Sequence, residues 1–130
     1  MVFIDTSIWI GYFSKGYYEK LDYLIENDLV VINDIIIAEL VPFLHNAKAY
    51  ELKDAILSLP KNKLDIDWDK LIDMQKINLA NGINKVGIPD LIIIQNVIQN
   101  NQMLWTNDKH FYLMQEFMGL KLFDPYTLIP

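Results

Sequence analysis

The 130-residue chain contains no cysteine and no arginine. Without cysteine there is no disulfide framework, no thiolate metal site and no cysteine nucleophile. All eleven basic residues are lysines, and seventeen acidic residues give a formal net charge of −6 at pH 7. This balance argues against a protein that coats nucleic acid through a basic face. It is compatible with a nuclease, because carboxylates that hold a divalent cation also make a chain acidic.

Long hydrophobic runs are missing as well, although 52% of the residues are hydrophobic. Charges and amides interrupt every apolar stretch before the roughly 20 residues that a transmembrane helix needs. The first residues carry no basic leader, and Asp5 would fall within the apolar core of any signal sequence. We therefore expect a cytoplasmic protein that makes no membrane contact. At this length we expect a single domain over residues 1–130, with a substantial core.

The organising stretch of the chain lies at its beginning. Val2-Phe3-Ile4 is a short apolar run of the kind that forms a buried parallel strand, and Asp5 follows directly. Thr6 or Ser7 is then predicted to cap the next helix. Ligands of open α/β sheets bind at the carboxyl ends of the strands. Asp5 is therefore the first candidate for a functional site.

Short apolar stretches alternate with amphipathic ones along the rest of the chain. Strands are predicted at 2–4, 29–32, 63–66, 103–106 and 120–123, and helices at 8–13, 17–26, 35–44, 47–59, 68–80, 90–100 and 107–118. Gly16 is predicted to end the first helix, and Pro42 to kink the third or end it early. This alternation predicts an α/β fold in which helices cover both faces of a parallel sheet.

A second carboxylate, Glu39, stands alone in an apolar helix, Ile35-Ile36-Ile37-Ala38-Glu39-Leu40-Val41. This setting predicts a buried carboxylate, and burial without a partner costs several kcal/mol. Glu39 is therefore expected to have a metal ion or a proton as its partner. The structural alternative is a hydrogen bond from Glu39 to nearby backbone.

Two further carboxylates stand at helix starts. Asp90 follows Pro89, and Asp108 follows the strand that ends at Thr106. Each has a structural explanation by itself, because aspartate is favoured as a helix cap and near the positive end of the helix dipole. If the strands before Asp5 and Asp108 are neighbours, however, their carboxylates share one crevice. Hard oxygen donors without cysteine suit Mg²⁺ or Mn²⁺ better than zinc.

The order of these motifs resembles a PIN domain. The motifs are Asp5-Thr6-Ser7, Glu39 within a helix, Asp90 at a helix start and Thr106-x-Asp108-x-x-Phe111. Within that family the chain is similar to the VapC-type toxins of bacterial and archaeal toxin–antitoxin pairs, over nearly its whole length. The resemblance implies a three-layer α/β/α sandwich with a central, mainly parallel five-stranded sheet. It also implies an endoribonuclease that depends on Mg²⁺ or Mn²⁺.

The resemblance also implies roles for individual residues. The catalytic acidic positions of the family fall on Asp5, Glu39, Asp90 and Asp108. Of these, Asp5, Asp90 and Asp108 would bind the metal, with Thr6 and Thr106 in supporting positions. The implied partners are an RNA substrate, a second copy of the chain in a homodimer, and an antitoxin protein that inhibits the active site.

Three other interpretations compete with the toxin. A PIN nuclease could act in RNA processing outside any toxin system. A response-regulator receiver is also a small acidic α/β domain with a magnesium pocket, but it needs an acidic pair after the first strand and a late lysine. Here Thr6 and Ser7 follow Asp5, and no such lysine follows Thr106. A non-catalytic α/β interaction module is not favoured, because all four carboxylates are present.

Some residues near the expected site have no clear role. His110 could shuttle a proton beside Asp108, although a lone histidine at an exposed helix start is more often simply solvated. Tyr12, Tyr17 and Tyr18 could stack on RNA bases, or they could cover the core or a dimer contact.

Overall fold

The computed structural model describes residues 1–15 and 18–127. Its sheet has three short parallel strands, β1 (Val2–Ile4), β2 (Val30–Val31) and β3 (Met103–Trp105), in the order β2-β1-β3. All three residues of β1 are buried. Because successive side chains of a strand point to opposite faces, both faces of the sheet are covered. The predicted parallel α/β arrangement is confirmed.

Seven helices surround this sheet in the described part of the chain. They are α1 (Thr6–Lys15), α2 (Glu19–Glu26), α3 (Asp34–Asn46), α4 (Tyr50–Leu57), α5 (Trp68–Ala80), α6 (Ile88–Gln99) and α7 (Lys109–Met118). The chain passes from β1 to β2 on one side and then returns to place β3 on the other side of β1. The strand order therefore changes direction at β1, the place where open α/β sheets bind their ligands.

Isolated bridges extend the sheet at both edges. Lys61 pairs in parallel with Ile32, and Leu122 pairs in parallel with Leu104. The predicted five-stranded sheet is thus present as three strands flanked by a single bridge on each side. The last predicted strand, at 120–123, is reduced to the contact at Leu122.

The strand predicted at 63–66 is wrong. Its backbone carbonyls bond to amide side chains of α6 and not to a neighbouring strand. Asn96 Nδ2 donates to the Lys63 carbonyl over 3.0 Å, and Gln99 Nε2 donates to the Asp65 carbonyl over 2.8 Å. An extended segment whose polar groups are satisfied by a helix has no need of a strand partner.

Helix boundaries follow the predicted ones closely where a cap is present. The Asn33 side chain accepts hydrogen bonds from the N–H groups of Ile35 and Ile36 and begins α3. Asp67 accepts from the N–H of Lys70 and begins α5 at the predicted residue. The helix predicted at 47–59 is shorter, because 47–49 form the turn between α3 and α4. Gly16 and Tyr17, predicted to end one helix and begin the next, lie outside the described residues.

Pro42 does not end α3 early, since the helix continues to Asn46. Proline cannot donate to the carbonyl of Ala38, and this loss normally weakens a helix. Leu40 and Leu44 lie on either side of Pro42 and are almost fully buried in the core. Packing of these two side chains therefore stabilises the helix across the proline.

None of the helices in the described ranges combines the length and the apolar character needed to cross a membrane.

A buried amide cluster fixes α6, the helix that begins near Asp90. The Asn96 side chain is 2% exposed. Its Oδ1 accepts from Asn33 Nδ2 over 3.0 Å and from Asn62 Nδ2 over 3.2 Å, while its own Nδ2 donates to Lys63. Because buried amides are costly unless paired, this cluster specifies where α6 sits relative to α3 and the segment after α4.

We expect Asn96→Ala to lower the free energy of unfolding by about 2–4 kcal/mol, because each buried polar partner left unpaired costs about 1–3 kcal/mol. Urea denaturation measures this loss. Asn46→Ala is the matched control, since Asn46 is exposed at the end of α3 and its removal should change stability by no more than about 0.5 kcal/mol. Equal effects of the two substitutions would contradict the role given to the cluster.

Candidate metal centre

Pairing of β1 with β3 brings Asp5 and Thr106 together at the carboxyl edge of the sheet. Ile4 is in register with Trp105, and the Asp5 N–H donates to the Trp105 carbonyl over 3.0 Å. One residue further, the Thr106 hydroxyl donates to Asp5 Oδ2 over 2.8 Å. Asp5 is 7% exposed and Thr106 is 1% exposed. The two residues therefore form a fixed, buried base for the site.

Ser7 also belongs to the site, although its sequence position predicted only a helix cap. Its hydroxyl donates to Asp5 Oδ2 over 2.9 Å and accepts the N–H of Asn107 over 3.0 Å. The Thr6 hydroxyl donates to Glu39. The prediction that Thr6 or Ser7 caps α1 is therefore wrong: the helix begins at Thr6, and both hydroxyls serve carboxylates. The sequence does contain a signal for this contact: Ser7 lies two residues after Asp5, and that spacing lets a serine hydroxyl bond to the preceding aspartate carboxylate.

Asp108 lies beside Asp5 because Thr106 links the two. The Thr106 hydroxyl oxygen accepts the N–H of Asp108 over 3.0 Å while its proton goes to Asp5. Asp108 also caps α7, as predicted, by accepting the N–H of His110 over 2.9 Å. The His110 ring nitrogen Nδ1 is 3.0 Å from the same carboxylate oxygen. Asp108 is half-buried, so its carboxylate keeps access to solvent.

Glu39 reaches the site from α3, but the expectation that it is buried is wrong. The residue is exposed, and only its carboxyl end is partly shielded where Oε1 accepts a 3.2 Å hydrogen bond from the Thr6 hydroxyl. The apolar neighbours of Glu39 in the sequence face other directions around the helix, where Ile36 and Leu40 are buried. The Glu39 carboxyl is therefore only partly desolvated, and the Thr6 hydroxyl is its hydrogen-bond partner.

Asp90 lies in the first turn of α6 and is half-buried. It interacts electrostatically with Asp5 and Asp108, and it accepts a backbone hydrogen bond from Gly87. His110 is close enough to favour the charged form of Asp90. The structure thus brings all four predicted carboxylates into one electrostatically coupled group.

Burial and mutual repulsion raise the pKa of three of these carboxyls. Desolvation is the largest cause for Asp5, Glu39 and Asp90. Repulsion adds to it: Asp108 raises the pKa of Asp5, Asp5 raises that of Glu39, and Asp108 raises that of Asp90. The hydroxyls of Thr106 and Ser7 partly oppose the shift at Asp5, because hydrogen bonds favour the charged form.

The donor chemistry of this group fits a divalent cation. Carboxylate oxygens are the preferred ligands of Mg²⁺ and Mn²⁺, and a cation would remove the repulsion among them. In residues 1–15 and 18–127, however, no three His, Asp or Glu side chains stand close enough to hold an ion between them as they are placed. The four carboxylates therefore lie near one another without forming a closed metal cage.

Two solved structures share this fold. Over 95% of this chain and 98% of the other, it superposes on the crystal structure of VapBC2 from Rickettsia felis bound to a DNA fragment from their promoter, with a TM-score of 0.71 and 23% identity. Over 98% of this chain and 100% of the other, it superposes on FitAcB from Neisseria gonorrhoeae, with a TM-score of 0.70 and 20% identity. Identities this low establish similarity of fold alone. Among curated protein sequences no match was found.

The family is identified from the sequence itself. A sequence model described as the PIN domain matches residues 2–116, a span that includes all three strands and all four carboxylates. We conclude that the chain belongs to the PIN domain family.

Proposed function

We propose that this protein is a Mg²⁺- or Mn²⁺-dependent endoribonuclease and the toxin of a VapBC-type toxin–antitoxin pair. PIN domains are in general nucleases that use divalent metal ions, so phosphodiester hydrolysis follows from the family. RNA as the substrate, internal cleavage and the choice of metal belong to the proposal. The observation that carries it is the coupling of Asp5, Glu39, Asp90 and Asp108 at one edge of the sheet.

In this proposal Asp5, Asp90 and Asp108 hold the metal. Such an ion would activate a water molecule and neutralise charge on the phosphate during in-line displacement. The hydroxyls of Ser7 and Thr106 both donate to Asp5 Oδ2, which fixes the plane of that carboxylate. A carboxylate that cannot rotate is ready to bind without a cost in side-chain entropy.

Glu39 takes the role of proton acceptor in this scheme. It is the exposed member of the group, and its pKa is raised by partial desolvation and by Asp5 and Asp90. A carboxylate with a raised pKa is a better base than an ordinary one. Thr6 orients Glu39 through its hydroxyl, so Thr6 acts as a positioning residue.

Cleavage of RNA tests the proposal. We expect Asp5→Asn, Asp90→Asn and Asp108→Asn each to reduce the Mg²⁺-dependent rate by at least about a hundredfold, and Thr106→Val by about 10–100-fold, because residues that orient metal ligands contribute that much. Thr6→Val should have a smaller effect, since its 3.2 Å bond to Glu39 is exposed. Gel analysis of a structured RNA gives the rates. Full activity of Asp5→Asn would contradict the role proposed for Asp5.

Metal and pH should act on stability through the same carboxylates. A folded-state pKa above the unfolded value contributes stability at low pH that is lost as pH rises through the folded pKa. Without metal, Asp5→Asn should therefore melt above the wild type at neutral pH, and the difference should shrink as the solution is acidified through the raised pKa of Asp5. Mg²⁺ at about one hundred times its Kd should stabilise the wild type by about 2.7 kcal/mol.

Calorimetric melting temperatures check both effects. Asp5→Asn should respond less to Mg²⁺ than the wild type. Asp73→Asn is the matched control, because Asp73 is exposed on α5 and should leave the metal response unchanged. The same Mg²⁺ response in wild type and Asp5→Asn would contradict a metal site at Asp5.

An antitoxin and a second copy of the chain complete the proposal. The structural neighbour VapBC2 supports an antitoxin partner, and the acidic site suggests how that partner would inhibit the protein. An arginine or lysine side chain inserted among the carboxylates would form charge-assisted hydrogen bonds in the place of a cation.

A homodimer is supported by the exposed apolar side chains of α5, which a second copy of the chain would cover. They are Trp68, Ile72 and Leu79.

Light scattering tests both partners in one experiment. The purified chain should have the mass of a dimer at micromolar concentration. Its complex with the protein encoded by the adjacent reading frame should dissociate as Mg²⁺ is added, because the ion competes for the same carboxylates. A complex that resists millimolar Mg²⁺, in wild type and in Asp108→Asn alike, would mean that the antitoxin covers the RNA path without entering the site. A monomeric mass would contradict the dimer.

A further inference from the structure

A cleft of about 620 Å³ opens beside the carboxylates. Its walls come from α1, from the start of α2, from the end of β3 and from the turn that follows the last bridge, and they include Lys15, Tyr18, Trp105, Asn107 and Tyr126. We call it the Trp105 cleft. Its volume lies within the range of about 300–1,000 Å³ typical of sites for small organic ligands, the size class to which a nucleotide belongs.

The Trp105 cleft adjoins the proposed metal site at Asn107. Asn107 lines the cleft and stands between Thr106 and Asp108 in the sequence. Its N–H donates to the Ser7 hydroxyl, which in turn donates to Asp5. Asn107 therefore connects the cleft to Asp5 through Ser7, which is the basis for placing the nucleotide next to the scissile phosphate in the cleft.

The walls of the cleft carry the groups that bind single-stranded nucleic acid. Lys15 and Lys20 line it, in a protein whose net charge is −6. Tyr18 and Trp105 line it with ring centroids 6.3 Å apart, but Trp105 is buried in the core, so Tyr126 is the lining ring that is open to a base. Lysines that contact phosphates, next to aromatic rings that stack on bases, are the usual combination for binding single strands. Glu19 on the rim adds an acceptor for base amino groups.

Tyr126 is the most exposed aromatic ring near the cleft, at 93%, yet its backbone is held in place. The Asp124 side chain accepts the N–H of Tyr126 over 2.9 Å, and the Asp124 carbonyl accepts the Thr127 hydroxyl over 2.7 Å. Lys20 Nζ donates to the Thr127 carbonyl over 2.6 Å, which ties this turn to α2. The turn therefore presents the exposed Tyr126 ring at the mouth of the cleft. Packing against the core does not explain this position of the ring.

We propose that the Trp105 cleft is a nucleotide subsite, in which a base of single-stranded RNA next to the scissile phosphate stacks on Tyr126 while Lys15 contacts a backbone phosphate. This inference rests on the proposed ribonuclease function. It adds that substrate is selected for an unpaired nucleotide at this position, since a base held in a duplex cannot enter the cleft to stack on a side chain.

Binding can be measured without cleavage. The parent is Asp5→Asn in Mg²⁺, and the probe is a short single-stranded oligoribonucleotide that carries the fluorescent base 2-aminopurine. Stacking on Tyr126 should quench the probe. Tyr126→Ala should weaken binding about 5–100-fold and remove most of the quenching, because the loss of one base stack has an effect of about that size, whereas Tyr126→Phe should keep both. Tyr50→Ala is the control, since Tyr50 is 49% exposed on α4 and does not line the cleft.

Salt dependence separates the role of Lys15 from a structural one. Lys15→Ala should reduce the slope of log K against log salt by about 0.7, the contribution of one phosphate contact to a single strand. Lys53→Ala is the control, because Lys53 lies over the Tyr50 ring, 5.5 Å from its centroid, away from the cleft residues. Melting temperatures establish that each variant is folded.

The results distinguish the subsite from the ribonuclease function. If the parent does not bind the probe, or if Tyr126→Ala and Lys15→Ala bind it as the parent does, the subsite is wrong, whether or not the wild type cleaves RNA. If the effects of Tyr126 and Lys15 are found but the wild type cleaves no RNA in Mg²⁺, the subsite stands and the ribonuclease proposal fails.

Discussion

The hydrogen bond between Thr106 and Asp5 joins residues 101 positions apart in the sequence, and the geometry of the site depends on it. It forms because β1 and β3 pair in parallel with Ile4 opposite Trp105, so that the two strands end at the same level. A shift of the register by one residue would turn every side chain to the other face, and Asp5 would no longer meet the hydroxyl. Since the strands are buried on both faces, the core fixes this register. The hydrophobic packing therefore sets the position of the Asp5 carboxylate.

The same arrangement places like charges close together in a partly desolvated crevice. Burial disfavours the ionised form of Asp5, and Asp108 and Asp90 add repulsion. Local hydroxyls offset only part of this cost, because each hydrogen bond to a charged group contributes about 1.5–3 kcal/mol. A group of like charges in such a crevice lowers the stability of the folded chain, and the hydrophobic core must compensate for that loss. This is the usual relation between a functional site and the fold that supports it.

The parts of the structure that depend on local chemistry could be predicted from the sequence. Asp5 at a strand end, Asn33 and Asp67 as caps, and Asp108 at the start of α7 all follow from short-range rules. The errors concern long-range partners. Residues 63–66 look like a strand, but amides of α6 satisfy their carbonyls. The exposure of Glu39 depends on which face of α3 meets α1, and neighbouring residues in the sequence do not determine that face.

The separation of the site residues along the chain has a consequence for biosynthesis. The ribosome releases Asp5 early, whereas Thr106 and Asp108 follow only when β3 is complete. Domains begin to fold during synthesis from the N-terminal side, yet no nascent chain that stops before β3 can hold Asp5 in its final geometry. Incomplete translation products that stop before β3 therefore lack the assembled group of carboxylates.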